Sequence, residues 1–599
     1  MIPPEPAPPH RAAAWQLLTA YALLAALIVG LHGTALRGGL FMDDYAHYKQ
    51  LRESDWTLAG LAQACRLELV GGVIQLWWLP ETTLRFFRPV AFGLMKLTYA
   101  LTGWSPVALH AASLGWHFAV CVLLMMLLRR CGATLWLAWA VAGLFALHPG
   151  QVATVQWIAC QTELMVTALL LGATLCYGRF RAWPGFGTGA AGAAIGGGVL
   201  FALALGCREN AIVFPLVMAT VDATLWWQRR RLRTGGDAPH PTAARGRSTC
   251  LVLSFYTVIL AIIVVYLAVR GRILGGNSVP PRPYVIPPTA PDFVRFILDK
   301  TWYYLLGEFL LAPCVPIGGL PYLQARPLMF YGLTALVLAL LLVVVLRCRR
   351  EPAGVLAPAW LLGFMLPVLP VFVSPHHLYL PAVGWALVVM LILRGLGAVR
   401  SEPDASAARR RRRVMWITVA LVGTAFGTAT FYFGLAIETG VGVEDCLTEE
   451  LAAAPSGLHD GDTLYIANLP VLGHYVRLAL EQHTGRRGLR VIPLTWSPRL
   501  LGPATPTELI WIDDRTIEIR VADDRYFAGP LGLLVREATG RDVPDEVDRL
   551  ADLGFRVRVL ERDVGGIAAL RFEFSRSLGA PGVHLFWGSR TRWACEVRP

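Results

Sequence analysis

The run AAAWQLLTAYALLAALIVGLHG, residues 12–33, decides the fold: it carries no charge and supplies the ~20 apolar residues that cross a bilayer as one helix. Ten further stretches repeat the pattern, at 106–128, 133–149, 161–178, 187–206, 210–227, 250–269, 327–346, 355–373, 377–395 and 414–436, so about 11 transmembrane helices are predicted. Over 599 residues, 55% are hydrophobic and only 16% charged, which excludes an ordinary soluble domain of this size. The chain reads as a polytopic α-helical membrane protein.

The formal charge of +13 sits almost wholly on arginine, since Lys49, Lys96 and Lys300 are the only lysines. Those arginines gather in short runs beside apolar spans: Arg129-Arg130, Arg179 with Arg181, Arg229 to Arg231, Arg347 with Arg349-Arg350, and Arg409 to Arg413. This is a topology signal rather than a nucleic-acid surface, and no nucleic-acid partner is expected. Putting the runs in the cytoplasm predicts an inner-membrane, multi-pass protein with a cytoplasmic N-terminus at 1–11 and an uncleaved signal anchor. The opposite face then receives Asp43-Asp44, His148-Pro149, Arg208-Glu209, His376-His377 and everything after 437. Two interrupted apolar segments, 85–103 and 292–312, are read as interfacial or re-entrant helices on that face, because counting one of them as a span would break the arginine pattern. A tilted pair of true spans ranks second.

Three parts follow: the N-terminus 1–11, a transmembrane domain 12–436 whose first extracytoplasmic loop is 34–105, and a C-terminal extracytoplasmic domain 437–599. The last has balanced charge and short alternating runs, such as Thr463-Leu464-Tyr465-Ile466 and Glu518-Ile519-Arg520-Val521, that read as strands. Helices are expected near 472–484 and 543–553, giving a mixed α/β or α+β domain with an accessory or binding role. The 11 cysteines show no zinc spacing; Cys446 and Cys595, near the two ends of this domain, are a candidate disulfide.

The polar residues just past the first span, Phe41-Met42-Asp43-Asp44-Tyr45, hold the candidate chemistry. Carboxylates at the outer mouth of a helical bundle suit sugar transfer from a lipid phosphate to a hydroxyl acceptor. There the leaving phosphate needs no strong acid, whereas the incoming hydroxyl needs a base. Asp43 is the candidate base. Asp44 is open between an orienting partner, a helix cap and a ligand of a divalent cation such as Mg or Mn. A departing phosphate also needs guanidinium groups, for which Arg88, Arg208 and Arg272 are candidates. Arg88 and Arg272, each taken alone, read first as snorkelling interfacial residues and only second as ligands. Arg208-Glu209 is the stronger case, because a charged pair ending an apolar helix is costly unless partnered or used. Glu163 opens a span at membrane depth, His148 ends one, and His376, His377 and Tyr379 begin another. These are candidate donor-binding or site-lining groups.

The order of the acidic pair, Arg88-Pro89, His110 and His117, His148-Pro149, Cys207-Arg208-Glu209-Asn210 with Pro215, and Leu378-Tyr379-Leu380-Pro381 resembles the GT-C class of membrane glycosyltransferases. Within it, the order is most similar to the protein O-mannosyltransferase-like branch whose eukaryotic members carry tetratricopeptide repeats, and to its bacterial relatives. The resemblance covers roughly 12–436. It implies a polyprenyl-phosphate-linked sugar donor, a hydroxyl-bearing protein, lipid or glycan acceptor, an inverting transfer, and the first acid of the pair, here Asp43, as catalytic base. The chain departs from the family at Gln151, Ala153, Gln161, Glu163 and Pro375-His376, and it lacks the repeat array. Rival readings are a transporter or flippase of a lipid-linked anion, against which the absence of an internal duplication counts, and an inactive GT-C homologue serving as a scaffold.

Overall fold

The computed structural model describes residues 13–182, 187–233, 242–276, 284–310, 326–349, 351–397, 405–498, 506–529 and 532–599 apart from 533–534, 537–538 and 590. The N-terminal segment 1–11 lies outside these residues. The chain folds into two compact units that do not follow sequence order. One comprises Met1–Arg37, Phe87–Asn277 and Val294–Leu435; the other comprises Gly38–Phe86, Ser278–Phe293 and Ala436–Pro599. The stretch 34–105, read above as one loop, is thus divided at Phe87.

The first unit is a helical membrane unit. Among the described residues, eight helices are long and apolar enough to cross a bilayer, and a ninth span is made if a bent pair is counted as one. Their outward faces carry Leu253, Val258, Val264 and Val265 on one helix and Leu328, Leu336 and Leu342 on another, all exposed. That much apolar surface belongs against lipid. Helix Gln161–Ala182 is the most enclosed of the eight.

Three of the predicted stretches are realised as shorter or broken helices, each for a local reason. Helix Leu135–Leu147 starts on Thr134, whose hydroxyl accepts the Leu137 amide at 3.4 Å, and stops where Pro149 forces a 56° bend into the segment Pro149–Gln156. Helix Pro352–Met365 tightens into the 3₁₀ turn Leu366–Val368, which contains Pro367. The stretch 377–395 begins as the 3₁₀ turn Pro375–Leu378 and becomes helical only at Ala382–Gly397. The last two helices pack closely at Gly384, where a Cβ would lie 2.5 Å from the Leu361 amide nitrogen. Helix Pro89–Leu101, in the segment 85–103, has 13 residues, or about 20 Å, too short to span. The segment 292–312 contains the helix Phe293–Leu310.

The second unit is mixed α/β. Its strands are β1 (Arg66–Val70), β2 (Thr82–Arg85), β3 (Thr463–Ala467), β4 (Arg490–Pro493), β5 (Thr507–Trp511), β6 (Thr516–Val521), β7 (Glu546–Arg549), β8 (Phe555–Asp563), β9 (Gly566–Phe574), β10 (Val583–Trp587) and β11 (Cys595–Val597). They form a pair β1-β2, a four-stranded sheet β11-β10-β3-β4, parallel except for its β11 edge, and an antiparallel five-stranded sheet β5-β6-β9-β8-β7. The predicted helix near 472–484 is present as Val476–Thr484 and ends on Gly485 in the left-handed conformation at φ 69°. The expected helix at 543–553 is instead strand β7 with its turn: Glu546, Val547, Asp548 and Arg549 pair with Arg558 to Phe555 of β8. Trp77 and Trp78, from the part near the N-terminus, join the core of this unit. Trp77 donates its indole N–H to the Leu494 carbonyl at 2.9 Å, and Trp78 packs edge-on against Trp496.

His584 on β10 sits between two carboxylates, Asp462 at Nε2 and Glu596 at Nδ1, each at 3.0 Å, which ties together β10, the residue before β3, and β11. The expected Cys446–Cys595 disulfide is not formed; both are free thiols, Cys446 exposed on a helix and Cys595 on an edge strand.

Candidate functional site

In the membrane unit, two ion pairs, one buried and one partly buried, grow from consecutive residues. The helix Thr188–Cys207 ends at Arg208, whose extended backbone (φ −161°, ψ 140°) starts the 3₁₀ turn Glu209–Val213. That break points the two side chains to different partners. Arg208 places Nε 2.9 Å from Glu163 Oε1 and donates from Nη1 to the Thr162 hydroxyl at 3.0 Å. The Glu163 contact is a close ion pair rather than an aligned hydrogen bond. Glu163 is fully buried in the first turn of its helix. Glu209 turns the other way: one oxygen accepts the Phe87 amide at 3.0 Å and the other takes Arg88 Nε at 3.1 Å. Arg88 stands at the N-cap position of helix Pro89–Leu101, which opens with proline at its first position.

A second set of groups surrounds Tyr304. Its hydroxyl accepts the Ser374 amide at 3.0 Å and lies 3.1 Å from the Ser374 carbonyl and 3.0 Å from His377 Nδ1. Ser374 Oγ is 2.7 Å from His376 Nδ1, and the two histidine rings meet edge-on at 4.3 Å. Lys300, one helical turn before Tyr304, is completely buried and donates to the carbonyls of Val368 at 2.6 Å, Phe372 at 3.1 Å and Val371. Arg88, Arg208 and Lys300 all lie within electrostatic reach of His376. Tyr379 Oη is 2.6 Å from His117 Nδ1.

These contacts sort the candidates. Arg88, Glu209, Arg208 and Glu163 form one electrostatic neighbourhood. His376 and His377 are anchored beside Ser374 and Tyr304. His148 is a structural terminus: its Nδ1 accepts the Gly150 amide at 3.1 Å, so Nε2 carries the proton and donates to the Glu308 carbonyl at 3.1 Å. Arg272 is exposed at the end of helix Thr242–Leu274.

In the second unit, the acidic pair is resolved into two environments. Asp44 is the first residue of helix Asp44–Glu53 and is almost wholly buried; its Oδ2 accepts the Phe41 amide at 3.1 Å. Asp43, at the N-cap position, is half-buried and makes no side-chain cap bond. Met42 between them and Phe41 has φ 49°, a left-handed conformation rare for a side chain of its size. Its amide donates to Glu444 Oε2 at 3.0 Å. Burial first, and then the charges of Asp43, Glu444 and Asp44, pushes the Tyr475 phenol far above its usual range, which marks how acidic this corner is. Among the described residues, no group of three or more His, Cys, Asp or Glu side chains is arranged to hold a metal ion.

Sequence reading missed Glu444, Thr162, Tyr304 and Ser374 as parts of these constellations. Lys300 had a signal, being one of three lysines and lying in an apolar helix.

No protein-family model and no curated protein matches the chain. Distant structural likenesses exist. The Saccharomyces cerevisiae protein O-mannosyltransferase Pmt1-Pmt2 complex bound to its sugar donor is 15% identical over 44% of this chain and 34% of that one, with a TM-score of 0.31. The Archaeoglobus fulgidus oligosaccharyltransferase AglB, in complex with an inhibitory peptide and a dolichol-phosphate, is 13% identical over 80% of this chain and 64% of that one, TM-score 0.43. ArnT from Cupriavidus metallidurans bound to undecaprenyl phosphate is 13% identical over 80% of this chain and 86% of that one, TM-score 0.41. The chain therefore spans about a third of the first and just under two thirds of the second. At these scores the likeness assigns neither fold family nor reaction.

Proposed function

We propose that this multi-pass membrane protein is a GT-C class glycosyltransferase. It moves a sugar, mannose-like by the motif resemblance, from a polyprenyl-phosphate donor to a hydroxyl acceptor on the extracytoplasmic side, with inversion at the anomeric carbon. In that reaction the acceptor oxygen forms the new bond to the anomeric carbon and gives its proton to Asp43. The bond to the phosphate oxygen breaks, and its electron pair leaves on the polyprenyl phosphate. By their chemistry, the guanidinium groups of Arg208 and Arg88, both in the membrane unit, are candidates to hold a phosphate anion.

The observation that carries the reading is the division of labour in the acidic pair. Asp44 is committed to the Phe41 amide, whereas Asp43 makes no cap bond and keeps only part of its side chain accessible, with Oδ1 enclosed, on a turn whose backbone is already fixed. A base needs that combination of access and rigidity. The test is turnover of tritiated undecaprenyl-phosphate mannose by full-length protein in liposomes with a hydroxyl-peptide pool. Asp43→Asn should lower the rate ~10²–10⁴-fold, the range for a positioned base, while the protein still inserts and unfolds at the wild-type temperature. Unchanged turnover in the variant removes the assignment.

A further inference from the structure

We propose that Glu444 is the positioning residue for Asp43, acting through the Met42 backbone; the inference rests on the reading of Asp43 as base. Glu444 lies some 400 residues from the acidic pair in sequence, on the C-terminal part of helix Ala405–Ala452, in the same compact unit as the turn it holds.

Two unfavourable features coincide at one contact. Met42 is held at φ 49°, a left-handed conformation that strains a residue with a Cβ. Glu444 is fully buried, and only one of its oxygens is engaged: Oε2 accepts the Met42 amide at 3.0 Å, while Oε1 has no hydrogen-bond partner. A buried, half-satisfied carboxylate is also expensive. Packing demands neither: glycine at 42 would relieve the first and an apolar side chain at 444 the second. Together they have one effect. With the Met42 amide taken by Glu444 and the Phe41 amide taken by Asp44, the chain must turn left-handed at Met42. Asp43 then falls at the N-cap position with its side chain left out of the cap. Without Glu444, Met42 relaxes to a right-handed or extended conformation, and the Asp43 carboxylate rotates away from its working direction. A misplacement of about 1 Å at a reacting group costs on the order of 100-fold in rate.

The experiment compares full-length wild type, Glu444→Gln, Glu444→Ala, Asp43→Asn and the double variant Met42→Gly with Glu444→Ala, in liposomes, with tritiated undecaprenyl-phosphate mannose as probe. Gln keeps an acceptor oxygen for the Met42 amide, so Glu444→Gln should stay within threefold of wild type. Glu444→Ala should lose about 100-fold in kcat with KM unchanged, and adding Met42→Gly, which makes the left-handed turn free of strain, should recover at least tenfold. Hydrogen–deuterium exchange over the peptide covering 41–47 supplies a readout independent of turnover: faster in Glu444→Ala, near wild type in Glu444→Gln. Wild-type kcat and exchange in Glu444→Ala, with Asp43→Asn inactive, would overturn the positioning role and leave the base reading standing. An active Asp43→Asn would instead sink the base reading, and the exchange data would still decide whether Glu444 holds the turn. If Glu444→Ala does not fold, loss of kcat in Glu444→Gln with unchanged exchange overturns the proposal.

Discussion

Arg88 Nε and Glu209 Oε2 stand 3.1 Å apart while the same carboxylate accepts the Phe87 amide, so one side chain fixes both the entry to helix Pro89–Leu101 and the cation at its start. The Arg88 side chain is 10% exposed and that of Glu209 30%, so the pair is partly buried. Removing one partner of a pair shielded from water leaves an uncompensated charge, whereas replacing both with apolar groups is often neutral. Glu209→Ala should therefore lower the unfolding temperature of the detergent-solubilised protein well beyond the double variant Arg88→Met with Glu209→Leu. Equal losses in the two would show that the pair is solvated.

Arg208 uses two edges of one planar group, Nε toward Glu163 and Nη1 to Thr162. A lysine cannot serve both and present a third donor to an anion. Arg208→Lys should weaken binding of undecaprenyl phosphate, read by native mass spectrometry, about tenfold, or ~1.4 kcal/mol. An affinity unchanged by the substitution would place the phosphate elsewhere.

His474 lies outside the membrane spans, half-buried beside helix Val476–Thr484 with its Nδ1–H on the Val471 carbonyl. Burial lowers its pKa to about 4, with the carbonyl bond opposing. The unfolded chain binds this proton at an ordinary 6.5 and the folded chain only near 4, so the contribution is complete above pH 6.5 and is lost as pH falls toward 4. The loss is about 3 kcal/mol over that window. Thermal unfolding of the full chain between pH 7.5 and 4.5 should show this limb, and His474→Gln should flatten it. A limb of the same size in the variant assigns it to other groups.

What the sequence made legible is the part written in local pattern. Apolar length predicted the spans, and it overran only where Pro149, Pro367 and Pro375 divert the backbone inside an apolar run. Apolarity reports burial and not continuity of the helix. The stretch 543–553 is expected to be helical, but Glu546 to Arg549 alternate in exposure and find their partners on β8, a pairing visible only once Phe555–Asp563 is in place. The arginine and carboxylate candidates were visible because charge beside apolar runs is conspicuous. Their partners were not. Glu444 reaches an amide far upstream, and Tyr304 and Lys300 bond main-chain groups that any sequence would offer.

Lys300 also constrains the order in which this protein can be made. Its ammonium is satisfied by carbonyls 68 to 72 residues further along the chain, at Val368, Val371 and Phe372. When helix Phe293–Leu310 leaves the ribosome those acceptors have not been synthesised, and burying a bare ammonium without them costs several kcal/mol. The helix must therefore wait in a wetter environment until the later segment arrives, and its burial becomes a late, post-insertion step in biogenesis.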